Sequence, residues 1–295
     1  MKPKVTIGIC VKNGAATLAE AVDSVLAQDF SHELTELIFV DDGSTDNSLR
    51  IMKSYAGKNG TSTRLFTQEW RGLGASRQLV VDQAKGEYIV WVDCDMVLPK
   101  DHVRKQVEFM DANPRVGLAK ARYETVKSES VPAALENLPF VLADSNDVPL
   151  DLKLPGTGGA IFRVNAVKQV GGFDVNLKGV GEDQDIAYRV KHCGWLIKRS
   201  SAIFHEKRVG TWNGLWKKWL WYGHGDYHLY LKNRNIFSLF RMNALAGLVN
   251  GFLQIPDAYR KIHKSYVLLM PYHLAFTMTA WCIGFSNEKW LFHPH

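Results

Sequence analysis

Hydrophobic residues in the first 126 positions come in two alternating arrangements. Short runs rich in β-branched residues over 5–11, 37–40, 64–67 and 88–92 read as buried strands. Between them the apolar positions recur at helical spacing. Leu18, Ala21, Val22, Val25 and Leu26 follow Thr17, a residue suited to cap a helix, and further helices are predicted over 46–55, 75–84 and 100–112. Such alternation predicts a parallel sheet with helices on both faces.

Beyond it the pattern predicts a strand over 116–126 and a mixed helix and loop over 127–155, interrupted by Pro132, Pro139, Pro149 and Pro155. TGGAIFR at 157–163 leads into a helix to about residue 170, then GGFD at 171–174. GEDQDIAYRV opens a helix at 181, and a strand over 196–201 precedes IFHE. At Trp212 the character changes. Trp212, Leu215, Trp216 and Trp219 share one helical face beside Lys217 and Lys218, and residues 265–286 carry no charge. As a helix those 22 residues cover about 33 Å, against ~30 Å for a bilayer core. Pro271, His273 and several hydroxyls weaken the span, so it is expected to cross the membrane, lie in its interface or pack as a core helix. Two parts are expected: a catalytic domain over 1–211 and a helical tail over 212–295.

Composition narrows the class. With 46% hydrophobic and 22% charged residues, the chain is neither disordered nor collagen-like. The net charge of +6 lies wholly in residues 212–295, which hold nine Lys/Arg against three Asp/Glu and six of the nine Trp. A basic, Trp-rich segment suits anionic lipid headgroups better than open solvent, and no nucleic-acid partner is expected. Cys10, Cys94, Cys193 and Cys282 form no CxxC pair, so reduced thiols in a cytosolic setting are expected. The start, MKPKVTIGIC, has too brief an apolar run for a signal peptide, and no export is expected.

Three acidic clusters carry the chemistry. DCD at 93–95 follows the apolar run YIVWV, VDDGSTD ends another strand with Asp41 and Asp42, and GEDQD at 181–185 begins a helix. Carboxylates at the carboxyl ends of strands stand where open α/β sheets bind ligands. Two of them one residue apart suit a hard divalent cation held against a diphosphate.

In order and spacing, VTIGICVKN, SVLAQ, IFVDDGSTDNS, ASRQLVVDQAKGEYIVWVDCDM, TGGAIFR, VGGFD, GEDQDIAYRV and IFHE resemble the inverting family 2 glycosyltransferases of GT-A fold over nearly the first 210 residues. The resemblance implies a mostly parallel, Rossmann-like sheet flanked by helices, to which the composition of residues 212–295 adds a helical membrane-associating extension. It implies sugar transfer from a UDP- or GDP-linked sugar with Mg²⁺ or Mn²⁺. By position, Asp41 and Asp42 match aspartates that hold the base and ribose, with Asn13 beside them, and Arg77 a basic residue near the base and diphosphate. Asp93 and Asp95 match the metal motif, Asp95 as direct ligand and Asp93 nearer the ribose or a metal-bound water, with His205 as a further metal or diphosphate contact. Gly158 and Gly159 match the close approach to the donor sugar. Asp183 matches the general base, with Glu182 as its neighbour and Asp185 as an alternative. Lys12 stands where relatives often carry an aromatic residue, replacing a stacking side chain by one able to make a salt contact, and Gln78 stands where Asn is common.

Other classes fit less well. A dehydrogenase would carry GxGxxG after the first strand, where VKNGAAT stands, and no GxxxxGK[ST] loop occurs. A nucleotidyltransferase leaves GEDQD unexplained, and a non-catalytic nucleotide-sugar-binding membrane adaptor has no use for the intact aspartates. The basic aromatic tail points to a glycan or polyprenyl-linked acceptor at the cytoplasmic face of the cell membrane, with peripheral or monotopic attachment. Synthesis of a polyprenyl-phosphate sugar is the alternative.

Overall fold

The computed structural model describes residues 2–57, 60–124, 130–145, 150, 154–177, 179–208, 210–239 and 242–287. Two compact units divide the chain. Met1–Glu124, Pro149–Lys178 and Glu182–Lys207 form the first; Thr125–Val148, Gly179–Gly181 and Arg208–His295 form the second. Residues 125–148 and 179–181 thus group with the C-terminal helices, which a linear boundary at 211 had placed with the sheet.

The first unit is built on β1 (Val5–Val11), β2 (Thr35–Asp42), β3 (Ser62–Gln68), β4 (Tyr88–Trp91), β5 (Met96–Val97), β6 (Val116–Tyr123), β7 (Ala160–Arg163) and β8 (Leu196–Glu206). Their spatial order is β3-β2-β1-β4-β7-β6-β8-β5. Strands β1 to β4 pair in parallel, β7 runs antiparallel between β4 and β6, and β8 is parallel to β6. Ile7, Ile9, Leu37, Ile38, Phe39 and Val40 are buried. Their strands read as continuous apolar runs because helices cover both faces. Those helices are α1 (Leu18–Leu26), α2 (Ser48–Ser54), α3 (Leu73–Gln83), α4 (His102–Ala112), α6 (Val164–Gln169) and α7 (Glu182–His192). Trp91 centres the core, edge-on to Phe162 at 6.2 Å and to Phe173 at 5.4 Å.

Three local expectations change. Thr17 precedes α1 without capping it, and its hydroxyl bonds the Cys94 thiol instead. Strand β6 stops at Tyr123, and the rest of the predicted strand, 125–126, lies outside the described residues. Strand β8 continues through IFHE, because Ile203 and Phe204 pair with β6 and His205 and Glu206 pair with β5.

The second unit consists of α5 (Val131–Ser145), α8 (Trp212–Lys232), α9 (Ala244–Ile262) and α10 (Met270–Ser286), the last preceded by a 3-10 helix over Ser265–Leu269. Leu135, Leu138, Leu142, Ala258, Val267 and Met270 form its core. Ser265–Ser286 is long and apolar enough to cross a membrane, yet 44% of its most apolar window is buried in the protein. Helix α10 packs on both α8 and α9. Trp281 is buried, and its indole N–H donates to Asp226 at 2.7 Å.

Candidate active site

The carboxyl edge of the parallel half-sheet is closed by two clasped loops. Asn13 has a φ of +52°, in the left-handed region that asparagine tolerates better than most residues. Its side-chain oxygen accepts from Thr45 N at 2.8 Å, while its own N–H donates to Ser44 at 3.0 Å. Ala15 N and Ser48 N both donate to Asp46. Asn13 therefore pins the VDDGSTD loop.

The two adjacent aspartates differ. Asp42 accepts from Gln68 Nε2 at 2.7 Å and from Arg71 N and Gly72 N, each at 2.9 Å. That carboxylate holds the loop between β3 and α3. Asp41 is buried, and its Oδ1 has no partner among the described residues. A buried orphan oxygen is costly unless a donor satisfies it, so Asp41, unlike Asp42, keeps an acceptor that the described residues leave unused. The loop anchored by Asp42 carries Trp70, 40% exposed, with the Lys12 ammonium 4.9 Å from the centre of its ring.

Arg77 stands at the middle of the acidic clusters. It is 5% exposed. One guanidinium nitrogen pairs with Glu182 and the other donates to Asp93 at 3.2 Å. Two of its five N–H donors thus meet carboxylates of the protein, one on α7 and one after β4. Burial opposes the charge on Arg77, but Glu182, Asp93 and Asp183 outweigh it and raise its pKa above the ordinary arginine value. Burial also dominates at Glu182 and, with Asp183 and Asp93 adding against Arg77, pushes that carboxyl up to about 8. One guanidinium among three carboxylates leaves excess negative charge, which favours a proton on the most buried acid.

The segment 156–159 brings the remaining groups together. A Cβ on Gly156 would lie 2.9 Å from Asp183 Oδ2, and one on Gly158 would lie 2.8 Å from Asp93 Oδ2. Asp93 and Asp183, which belong to separate motifs far apart in the chain, thus border one short stretch of backbone. Any side chain at either glycine would collide with a carboxylate. Gly159 differs. Its missing Cβ faces the Phe204 ring at 2.5 Å, so its room serves packing rather than approach to a sugar. Asp183 is half-buried, with Oδ1 accepting from Gln184 N at 2.7 Å. Asp185, the alternative base, is 2% exposed, and its Oδ2 is bonded to Arg189 at 2.6 and 2.9 Å.

The metal motif reads differently in space. Asp93 and Asp95 are half-buried at the end of β4. His205 pairs with Val97 across the β5–β8 ladder, but its Nδ1–H donates to the Glu124 carbonyl at 3.0 Å and its Nε2 lies 3.8 Å from the Glu124 carboxylate. Among the described residues no three of His, Cys, Asp and Glu converge to hold an ion. His205 is therefore not gathered with the two aspartates. The carboxylate pair alone still suits Mg²⁺ or Mn²⁺, which take one or two carboxylates together with substrate phosphates and keep several waters. Cys94, between the two acids, is a packing residue whose thiol burial pushes up to about 12.

Two side chains were not singled out from the sequence. The Lys120 ammonium bonds the carbonyls of Gly156, at 3.2 Å, and of Gly158, fixing the backbone that borders both acids. Trp70 supplies an aromatic face beside Lys12. Neither lies in a recognisable motif, and only the β6 pairing and the Asp42 loop bring them to the site. Gln78 accepts from Phe173 N at 2.7 Å and so anchors the GGFD turn rather than a nucleotide.

A parallel half-sheet with acids at its carboxyl ends, continued by a mixed half-sheet and an acid at the start of a following helix, defines a GT-A protein. The chain belongs to glycosyl transferase family 2, whose family model matches residues 6–171. An uncharacterized glycosyltransferase of Haemophilus influenzae is 34% identical over 111 residues, 38% of this chain and 44% of that protein. The matches to this and to the next two curated relatives cover less than half of those proteins' own lengths. Among solved structures, the mannosyltransferase PcManGT of Pyrobaculum calidifontis, in complex with GDP-Man and Mn²⁺, aligns with a TM-score of 0.66 at 16% identity, covering 98% of this chain and 88% of that one. Staphylococcus aureus TarS 1-349, in complex with UDP-GlcNAc, aligns with a TM-score of 0.55 at 19% identity, covering 96% and 90%.

Proposed function

We propose that the chain transfers a sugar, with inversion at the anomeric carbon, from a UDP- or GDP-linked donor to a glycan or polyprenyl-linked acceptor at the cytoplasmic face of the membrane. The observation that carries this reading is the placement of Asp93 and Asp183 at the two ends of the 156–158 segment. Inversion needs a leaving diphosphate on one side of the anomeric carbon and an acceptor oxygen on the other, with a base to take the acceptor's proton.

Asp183 is the base. Its Oδ2 faces Gly156 rather than a cation of the protein, so it keeps an oxygen for the acceptor hydroxyl. Asp93 and Asp95 are the residues that would hold Mg²⁺ or Mn²⁺, and the ion supplies positive charge for the departing diphosphate. Asp41 accepts from the nucleotide through its unpartnered oxygen, and Trp70 offers a face for the base. Lys120 keeps 156–158 in place, and Arg77 with Glu182 holds the two acidic walls at a set spacing.

Thermal stabilisation by a panel of UDP- and GDP-sugars, with and without Mn²⁺ or Mg²⁺, tests the donor, since a ligand bound only by the folded state raises the melting point. Stabilisation by one nucleotide class that depends on the cation is expected. Anomeric analysis of the product then checks inversion; a retained configuration rejects the single-displacement scheme.

A further inference from the structure

Helix α9 has two faces of opposite kind. Its inward line is Gly247, Gly251 and Ala258, all buried. A Cβ on Gly247 would fall 2.6 Å from the Leu274 carbonyl and one on Gly251 2.4 Å from Pro271 Cα, so these small residues let α9 close on α10. On the other side Leu245 (70%), Leu248 (37%), Val249 (51%), Phe252 (61%) and Leu253 (72%) are exposed. At about 100° per residue these five occupy an arc of about 140°. Leu268 and Leu269, on the 3-10 helix that follows, are exposed as well.

Charge is distributed along this helix with equal asymmetry. Residues 242–256 contain none, whereas Arg260, Lys261 and Lys264 follow within eight positions, all exposed. A single acid, Asp257, accompanies them and pairs with Arg260 at 3.3 Å. A contiguous apolar face of this size in water marks a surface that something covers. An apolar arc with exposed cations gathered at its C-terminal end suits a helix lying against an anionic membrane interface.

We propose that this face of α9 is the membrane-inserting surface, its apolar side chains reaching the headgroup–acyl boundary of an anionic bilayer while Arg260, Lys261 and Lys264 meet the headgroups. The inference rests on the membrane reading of the C-terminal region and moves its locus. Helix α10 is committed to packing on α8 and α9, and Lys218, one of the two lysines of the Trp-rich stretch, is tied to the buried Glu136 at 3.1 Å. Anionic lipid is favoured over an apolar partner without charge by the cations gathered at one end of the stripe.

Flotation of the full chain with phosphatidylcholine vesicles, with and without phosphatidylglycerol, tests the proposal. The intact chain should float with the anionic vesicles and remain bound in about 1 M salt, where screening shortens to about 3 Å. The variant Leu245→Gln/Phe252→Gln/Leu253→Gln should lose about tenfold or more of the salt-resistant binding, as apolar insertion requires. Arg260→Glu/Lys261→Glu/Lys264→Glu should lose binding at low salt and its preference for phosphatidylglycerol. Circular dichroism and melting temperature check that both variants fold, and stabilisation by nucleotide sugars should be unchanged in both, which keeps this test separate from the enzymatic reading. Equal flotation of the glutamine variant and the intact chain would overturn the assignment to α9 and leave the membrane reading standing. Failure of the intact chain to float, together with a dimer in light scattering that the glutamine variant converts to monomer, would overturn both and assign the face to a second copy.

Discussion

Arg77 and Glu182 meet in a buried hydrogen-bonded contact across 105 positions of sequence. Because the same guanidinium also bonds Asp93, one side chain ties the acid that ends β4 to the helix that carries Asp183. In the proposed scheme that guanidinium sets the spacing between the acid that would hold the cation and the helix that carries the base. Such a contact is costly to break, since the buried carboxyl left behind loses its hydrogen-bond partner.

Removal of that pair should be asymmetric. Arg77→Ala should destabilise the fold by about 1–3 kcal/mol, the range for leaving a buried polar group without its hydrogen-bond partner. Arg77→Ala combined with Glu182→Ala should cost clearly less than the sum of the single changes. Denaturant unfolding of the four proteins measures this, and strict additivity would show that the two residues act independently.

Stability should depend on pH through Glu182. Its carboxyl holds a proton up to about 8 in the folded chain against an ordinary value of 4.5, so the gain it gives the folded state is complete below 4.5 and is lost as pH rises toward 8. One proton limits the slope to about 1.4 kcal/mol per pH unit. Glu182→Gln, which keeps a neutral group at every pH, should flatten unfolding free energy between about pH 5 and 8; an unchanged slope would assign the effect to other residues.

Asp183→Asn keeps shape and removes the base. With a hydroxyl acceptor, donor affinity should hold while kcat falls by ~100-fold or more. Near-normal turnover would reject Asp183 as base and point to a phosphate acceptor, which is already ionised.

Asp95→Asn removes a charge from a hard-cation site, and both cation affinity and cation-dependent donor stabilisation should fall sharply. Titration of Mn²⁺ against the variant in the presence of nucleotide is the measurement. Full activity in EDTA would end the case for a metal.

Trp70 is exposed, so its removal should leave folding nearly untouched. Base–aromatic stacking contributes about 1–3 kcal/mol, so Trp70→Ala should weaken nucleotide binding by about tenfold and Trp70→Phe by much less. Equal affinity of Trp70→Ala and the parent in calorimetry would place the base elsewhere.

Much of this was legible from residue order. Strand β1 runs over Val5–Val11 as its apolar run predicts, and β2, β3, β4, α3 and α4 lie within a few residues of their expected bounds. Continuous apolar runs between amphipathic stretches leave a chain few ways to bury its surface other than a helix-covered parallel sheet. The acidic clusters were legible too, because a carboxylate directly after a buried strand must emerge at the sheet's carboxyl edge.

What each carboxylate does was not legible, since that depends on which donors reach it from distant positions. Asp42 and Asp41 are neighbours of one type, yet the β3–α3 loop satisfies the first and leaves an oxygen of the second without a partner. The contact of Arg77 with Glu182 is equally invisible in the sequence, since only α7 sets the two together. The uncharged stretch 265–286 was equally ambiguous, because periodicity measures how apolar a helix is and not what it packs on. Only the close approach allowed by Gly247 and Gly251 packed α9 against α10 and left the apolar face of α9 outside. Sequence by itself determined which elements form and which edge of the sheet carries the acids, through local periodicity and burial; tertiary structure decided which of those acids remain available and which helix faces outward, because both depend on contacts between residues far apart in the chain.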